Sequence, residues 1–207
     1  MFQKTTDPVS NVGREMVQFN LKKREVSLKV VYYGPALSGK TTNLQTLFGQ
    51  ADKLARGRLV TLETRDDRTI YFDMLPVVLN SSSGHRLSFK LYTVPGQPMH
   101  NATRSVVLRG VDAVVFVASS EPDELEYSTE SWQNLLENLE TNNLKLEDVP
   151  IVIQFNKQDL PNAFSQAQIK AVERFSGIKT YGASALKGEG TFETLRGLLT
   201  QLWEQLC

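Results

Sequence analysis

Residues 34–42 of this chain read Gly34-Pro35-Ala36-Leu37-Ser38-Gly39-Lys40-Thr41-Thr42. An apolar run at 26–33 precedes them and a helix-compatible run at 42–49 follows, so the order predicts a strand, a loop and a helix start. The two glycines let the backbone turn tightly and aim consecutive N–H groups at a bound phosphate, where the positive end of the helix adds to the attraction. The spacing G-x-x-x-x-G-K-T therefore predicts a phosphate loop, with an ordinary glycine turn as the alternative.

The residue types within this loop suit different parts of a nucleotide. Lys40 can reach the terminal phosphates, and the hydroxyl of Thr41 can bind Mg²⁺. The residues that we expect to contact nucleotide here are Gly34, Ala36, Leu37, Ser38, Gly39, Lys40, Thr41 and Thr42.

The composition indicates one globular domain. The chain has 207 residues, of which 41% are hydrophobic and 22% are charged, enough for a core without disulfides or metal clusters. Residues 1–14 mix Thr, Asp, Pro, Ser, Asn and Gly without periodicity, which predicts a flexible leader. We expect a single domain to occupy residues 15–207.

Charge and cysteine content argue against several classes of protein. Lys+Arg and Asp+Glu both number 23, so no excess of positive charge favours nucleic-acid binding. The single cysteine, Cys207, cannot form an internal disulfide, which is typical of a reducing compartment. No apolar run approaches the roughly 20 residues that span a bilayer, and the N-terminus lacks the apolar stretch of a secretion signal. We therefore expect a cytoplasmic protein.

The hydrophobic pattern predicts strands that alternate with helices, which indicates an α/β fold. We expect a doubly wound, mostly parallel six-stranded sheet, as in other P-loop proteins, with one antiparallel strand pair and an extra N-terminal strand that begins near residue 16. The predicted strands lie at 25–33, 69–79, 87–94, 111–119, 150–155 and 179–183, and the predicted helices at 42–49, 123–142, 165–175 and 191–206.

A base-recognition motif, Asn156-Lys157-Gln158-Asp159, follows a predicted buried strand, at the edge where open parallel sheets bind ligands. One aspartate can accept hydrogen bonds from both the N1–H and the exocyclic amino group of guanine, whereas adenine has no such pair of donors. A pocket around Asp159 would reject adenine, because the carboxylate would be left unpaired. We expect Asn156 to tie this loop to the phosphate loop and the stem of Lys157 to cover the base. The alternative is an ordinary loop turn.

A second contact to the base is predicted after the last strand. Ser184 and Ala185 are small, so a backbone N–H could approach the guanine carbonyl oxygen there. Small residues are common after strands, and the prediction therefore depends on the position of this pair after the other two motifs.

Two further stretches could act on the γ-phosphate. In Thr93-Val94-Pro95-Gly96-Gln97, the N–H of Gly96 could bond a γ-phosphate oxygen and Gln97 could orient the attacking water. The alternative there is a strand-ending turn with an exposed glutamine. At the end of a long polar segment, Thr69 could hold Mg²⁺ and Arg68 could reach the transition-state charge. The spacing of this pair is not distinctive, and a plain strand entry is an equal alternative.

The order of these elements resembles the Ras-like small GTPases, from about residue 19 to the C-terminus. Four stretches are similar to the bacterial MglA group: Val31-Tyr32-Tyr33-Gly34-Pro35, Arg68-Thr69-Ile70-Tyr71-Phe72-Asp73-Met74-Leu75-Pro76, Leu91-Tyr92-Thr93-Val94-Pro95-Gly96-Gln97 and Asn156-Lys157-Gln158-Asp159-Leu160-Pro161. The resemblance implies a Mg²⁺-dependent GTP/GDP switch in bacterial cell polarity or motility. It also implies Roadblock/LC7-type (MglB-like) partners that accelerate hydrolysis, and an arginine that acts in cis, which would be Arg68 beside Gln97.

Two positions differ from the common pattern of small GTPases. Thr93 stands where small GTPases usually have a carboxylate that holds a Mg²⁺-bound water, and the MglA group has threonine there too. The metal would therefore depend on Thr41 and Thr69, with Asp73 as a further candidate through a water. Ala36 stands where glycine is common, and its Cβ would crowd the space that Gln97 needs near the γ-phosphate. We therefore predict slow intrinsic hydrolysis.

Two other functions are compatible with the same motifs. A nucleotide-binding scaffold with negligible hydrolysis would explain Ala36. An ATP-using P-loop kinase would need an arginine-rich lid over the phosphates, and no such segment follows the expected strands.

Overall fold

The computed structural model describes residues 18–20, 25–50, 60–62, 72–80 and 86–206. The predicted leader at 1–14 and the predicted site residues Arg68 and Thr69 lie outside these ranges.

One mixed β-sheet forms the centre of the molecule. Its strands are β1 (Gln18–Asn20), β2 (Glu25–Tyr33), β3 (Val60–Leu62), β4 (Phe72–Asn80), β5 (Arg86–Thr93), β6 (Ala113–Ser119), β7 (Ile151–Asn156) and β8 (Thr180–Gly182). The order across the sheet is β3-β4-β5-β2-β6-β7-β8, and β1 pairs with β2. Strand β2 is central, because it pairs in parallel with both β5 and β6 and leads directly into residue 34.

The predicted sheet of six strands with one antiparallel pair needs correction. Among the described strands, five are parallel (β5, β2, β6, β7 and β8), and antiparallel pairing occurs at three places: β1 with β2, β3 with β4, and β4 with β5. Strand β3 has only three residues and lies in the polar segment 51–67, so it gives no alternating pattern long enough to recognise.

In the part of the chain that the structure describes, five α-helices cover the sheet: α1 (Lys40–Gln50), α2 (Asn101–Leu108), α3 (Leu125–Thr141), α4 (Gln166–Ser176) and α5 (Thr191–Leu206). Helix α3 begins two residues later than predicted because Pro122–Glu124 form a 3-10 turn before it. Helix α4 begins at a capping box, in which the hydroxyl of Ser165 accepts from the N–H of Gln168 and the side chain of Gln168 accepts in return from the N–H of Ser165.

The core has two layers, one on each face of the sheet. Val31 and Tyr33 of β2 join the layer that α2, α3 and α4 cover, whereas Val30 and Tyr32 join the layer beneath α1 and α5. This alternation is the period of two that a strand buried on both faces requires. Because β5, β2, β6, β7 and β8 are parallel, their carboxyl ends meet at one edge of the sheet, where ligands bind in doubly wound folds.

Glu173 ties α4 to the edge strand β8. Its carboxylate accepts hydrogen bonds from Nζ of Lys170 (2.7 Å) and from the N–H of Thr180 (3.0 Å). These donors lower the pKa of Glu173 from 4.5 to about 2. A carboxylate with a depressed pKa stabilises the fold above its unfolded-state pKa, and this stabilisation is lost as the pH falls toward its folded-state pKa.

We therefore expect Glu173→Gln to lower the free energy of unfolding by about 1–2 kcal/mol at pH 7, as for a charge-assisted hydrogen bond. The difference from the parent should shrink as the pH falls from about 4.5 toward about 2. Urea unfolding across this range measures it. Glu147→Gln is the control, because the Lys145–Glu147 pair is 76% exposed at both side chains and contributes little. A pH-independent difference would contradict the assignment.

Candidate nucleotide site

The loop between β2 and α1 needs glycine at two positions. Gly34 has φ +146°, and a Cβ there would overlap the carbonyl oxygen of Val117 on β6. Gly39 has φ +94°, and a Cβ there would overlap the side-chain amide of Asn156. L-residues rarely adopt these backbone angles, so both sterics and conformation favour glycine. Leu37 also has a positive φ of 60° and is 85% exposed at the tip of the loop.

Lys40 is buried beneath this loop. Its Nζ donates hydrogen bonds to the carbonyl oxygens of Gly34 (2.9 Å) and Pro35 (2.5 Å). Burial, with a smaller contribution from the nearby positive charge of Arg104, lowers the pKa of Lys40 from 10.5 to about 7. An ammonium group in this position lacks an anionic partner among the described residues, and a phosphate in the loop would supply one.

Three hydroxyl-bearing residues lie in or next to the same loop. Ser38 is buried, and its Oγ has no hydrogen-bond partner within the described ranges. Thr41 is exposed in the first turn of α1, and Thr42 is half-buried beside it. A hydroxyl at the start of a helix, facing phosphate oxygens, is a suitable oxygen ligand for Mg²⁺, so Thr41 fits the predicted metal.

Asn156, the last residue of β7, joins the phosphate loop to the loop after β8. Its Nδ2 donates to the carbonyl oxygen of Ser38 (2.8 Å), and its Oδ1 accepts from the N–H of Ala185 (2.8 Å). The bond that the sequence predicts from Asn156 to the phosphate loop is therefore present. Because Asn156 is 3% exposed, both bonds are shielded from water and fix the relative positions of the two loops.

Asp159 lies beside Ser184 in the predicted base pocket. The hydroxyl of Ser184 donates to Oδ1 of Asp159 (2.6 Å), and this bond is the main cause that lowers the pKa of Asp159, followed by a backbone hydrogen bond. The carboxylate therefore remains ionised near neutral pH, as an acceptor of two guanine donors must.

Lys157 has a positive φ of 67°, and its Nζ pairs with Oε1 of Glu121 at 2.7 Å. This ion pair crosses from the loop after β7 to the loop after β6. It therefore fixes the direction of the Lys157 stem, which the sequence predicts to lie over the base.

The segment after β5 touches the phosphate loop. A Cβ at Gly96 would overlap the backbone N and Cα of Ala36, so the two loops pack backbone against backbone. Gln97 is exposed next to this contact. A cavity of about 430 Å³ opens between the two loops, with a lining that includes Ala36, Lys40, Thr41, Thr42, Gly96 and Gln97.

The structure thus brings together the predicted residues on the phosphate loop, after β5, after β7 and after β8. Sequence reasoning missed Glu121, the partner of Lys157, and Arg104, whose guanidinium lies behind Gly96. Glu121 has a positional signal, because it follows a buried strand at the ligand edge. Arg104 has none, since a single arginine in an amphipathic helix is usually solvated.

A sequence model of the ADP-ribosylation factor family matches residues 14–202. The chain belongs to this family of Ras-like GTPase domains. It is also similar to the Mutual gliding-motility protein MglA of Myxococcus xanthus (strain DK1622), with 44% identity over 179 residues that cover 86% of this chain and 92% of the relative. The predicted resemblance to the MglA group is confirmed. No helix in the described part of the chain is long and apolar enough to cross a membrane.

Proposed function

We propose that this chain is a cytoplasmic GTP/GDP switch with slow intrinsic hydrolysis, formed by one domain at 15–207, that acts in bacterial cell polarity or motility. The family and the MglA-like relative support a GTPase switch. The name of that relative, a gliding-motility protein, supports the cellular role.

The observation that carries this proposal is the double hydrogen bond of Asn156. It holds the phosphate loop at Ser38 and the base loop at Ala185 within one rigid unit. A site that binds only phosphate has no need for this link, whereas a nucleotide bridges the two loops with its phosphates and its base. The ionised Asp159 at the far end of the unit then favours guanine over adenine.

The proposed site residues have distinct roles in this function. The backbone N–H groups of residues 36–42 and the ammonium of Lys40 would bind the phosphates, while the carboxylate of Asp159 would bind the base. Thr41, with Thr69 from outside the described ranges, would hold Mg²⁺, which neutralises charge on the β- and γ-phosphates when bound. Gln97 would orient a water for in-line attack on the γ-phosphorus, so that the bond to the β–γ bridging oxygen breaks and GDP and phosphate form.

The proposed partner is a Roadblock/LC7-type, MglB-like protein that accelerates hydrolysis. Gln97 is exposed beside the phosphate cavity, so a protein bound over this face could hold its amide against the attacking water. Such a partner would supply order rather than a catalytic group, since the proposed arginine, Arg68, belongs to this chain.

We expect Gln97→Ala to lower phosphate release on the order of 100-fold while GDP affinity remains near that of the parent, because the amide acts on the water and not on the bound product. Multiple-turnover phosphate release, with and without a Roadblock/LC7-type partner, measures the effect. Gln133→Ala is the matched control, since Gln133 is an exposed glutamine on α3 away from the site.

Two results would overturn the proposal in different ways. Adenine nucleotides in the denatured, freshly purified protein, identified by chromatography, would contradict guanine recognition. Bound guanine nucleotide without phosphate release, even with the partner, would instead favour the scaffold with negligible hydrolysis.

A further inference from the structure

Arg104 of α2 is a buried arginine that binds backbone rather than a carboxylate. It is 3% exposed, and its Nε donates to the carbonyl oxygen of Pro95 (2.8 Å) while its Nη2 donates to that of Gly96 (2.5 Å). Its Nη1 donates to Oδ1 of Asn134 on α3 (2.7 Å). All three nitrogens of the guanidinium are therefore used, and a planar group with three fixed partners has little freedom to turn.

These two carbonyl bonds set the direction of two N–H groups. In a trans peptide group the C=O and the N–H point in opposite directions, and the described part of the chain has no cis peptide bond. The carbonyl of Pro95 shares its peptide group with the N–H of Gly96, and the carbonyl of Gly96 shares its own with the N–H of Gln97. A guanidinium that holds both carbonyls therefore turns both N–H groups away from itself.

The cavity linings indicate the side toward which these N–H groups turn. Gly96 and Gln97 line the phosphate cavity, whose lining does not include Arg104. Arg104 lines a neighbouring cavity of about 410 Å³, and Gly96 lies between the two because it lines both. The guanidinium therefore acts on this segment through its backbone carbonyls and is not among the residues that line the phosphate cavity.

Asn134, the side-chain partner of Arg104, also contacts the residue that precedes the phosphate loop. Oδ1 of Asn134 also accepts from the hydroxyl of Tyr33 (2.6 Å), the residue that precedes Gly34. The guanidinium of Arg104 lies 5.6 Å from the centre of the Tyr33 ring, and Asn138 donates to the same hydroxyl (3.0 Å). The segment 95–97 is therefore held in a fixed position relative to the start of the phosphate loop.

We propose that Arg104 is a positioning residue that presents the N–H groups of Gly96 and Gln97 to the γ-phosphate and thereby determines the preference for the triphosphate over the diphosphate. This inference rests on the proposed function. GDP lacks the γ-phosphate, so a loss of this presentation weakens GTP binding and leaves GDP binding almost unchanged.

Arg104→Lys tests the proposal, because lysine keeps the charge and the aliphatic stem but cannot hold three acceptors in one plane. We expect affinity for a non-hydrolysable GTP analogue to fall about tenfold, and affinity for GDP to change by less than about twofold. Competition titrations with fluorescent nucleotides measure both. Arg109→Lys, the same change at an exposed arginine just after the end of α2, should alter neither affinity.

If Arg104→Lys does not fold, a second pair of variants tests the positioning role of Arg104. Asn134→Ala removes the acceptor that orients the guanidinium, and it should lower affinity for the analogue selectively. Asn134→Asp keeps an acceptor oxygen in place and should retain the affinity for the analogue. Equal losses for both nucleotides, or no loss for either, in the folded variants would overturn the role of Arg104. If the parent itself bound no guanine nucleotide, the proposed function would fail instead.

Discussion

Replacement of Asp159 by asparagine is expected to weaken GTP and GDP binding by about 2–4 kcal/mol, the range for loss of a charge-assisted hydrogen-bond pair. The amide would turn one acceptor oxygen into a donor that opposes the guanine donors. Ser184, which donates to Oδ1 of Asp159, would hold the remaining oxygen and direct the new NH₂ group toward the base. Xanthine nucleotides, whose base presents an acceptor at that position, should gain affinity relative to guanine nucleotides.

Titrations with GDP and with xanthosine diphosphate measure this exchange of preference. Asp123→Asn, at an exposed aspartate on the turn before α3, provides the control for a loss of one negative charge. If Asp159→Asn bound GDP as tightly as the parent, the assignment of the base pocket would be wrong.

The largest expected effect on rate concerns Arg68, which the resemblance places at the transition state. An arginine that reaches the transferring phosphoryl group contributes on the order of 10³–10⁵ in rate. We expect Arg68→Ala to remove most of the partner-dependent hydrolysis and to leave GDP affinity nearly unchanged, because the arginine acts on charge that develops during transfer. Single-turnover hydrolysis with a Roadblock/LC7-type partner measures it, with Arg109→Ala as the control at an exposed arginine.

Ala36→Gly should have the opposite effect, because a missing Cβ leaves room for Gln97 and the arginine near the γ-phosphate. A Cβ at Gly96 would overlap the backbone of Ala36, so the two loops are already in contact at this point beside the cavity. The gain should depend on Arg68. Full acceleration by Ala36→Gly in an Arg68→Ala background would show that the arginine is structural, and its catalytic role would have to be withdrawn.

Local signals in the sequence were sufficient for the parts of the site that depend on backbone geometry. The backbone of the loop at 34–42 requires φ angles of +146° and +94° at positions 34 and 39, which few residues other than glycine adopt. The two glycines in the sequence were therefore a reliable signal for this loop. The position of Asn156 could be predicted because polar residues directly after a buried strand lie at the ligand edge of a parallel sheet.

Long-range side-chain partners could not be predicted in this way. Arg104 and Asn134 are 30 residues apart, and the role of each depends on the packing of α2 against α3. Neither residue breaks a periodic pattern or follows a strand. The short strand β3 was missed for a related reason, since its three residues are ordered by pairing with β4 and not by their own alternation.

The packing around the phosphate loop constrains some of its positions more than others. Position 34 faces a β6 carbonyl and position 39 faces the Asn156 amide, so neither can accept a larger residue without loss of the site. Position 37 projects into solvent at 85% exposure and position 36 is half-buried, so side-chain packing constrains both positions less. We therefore expect side-chain substitutions at positions 36 and 37 to preserve the conformation of the loop better than any substitution at positions 34 and 39.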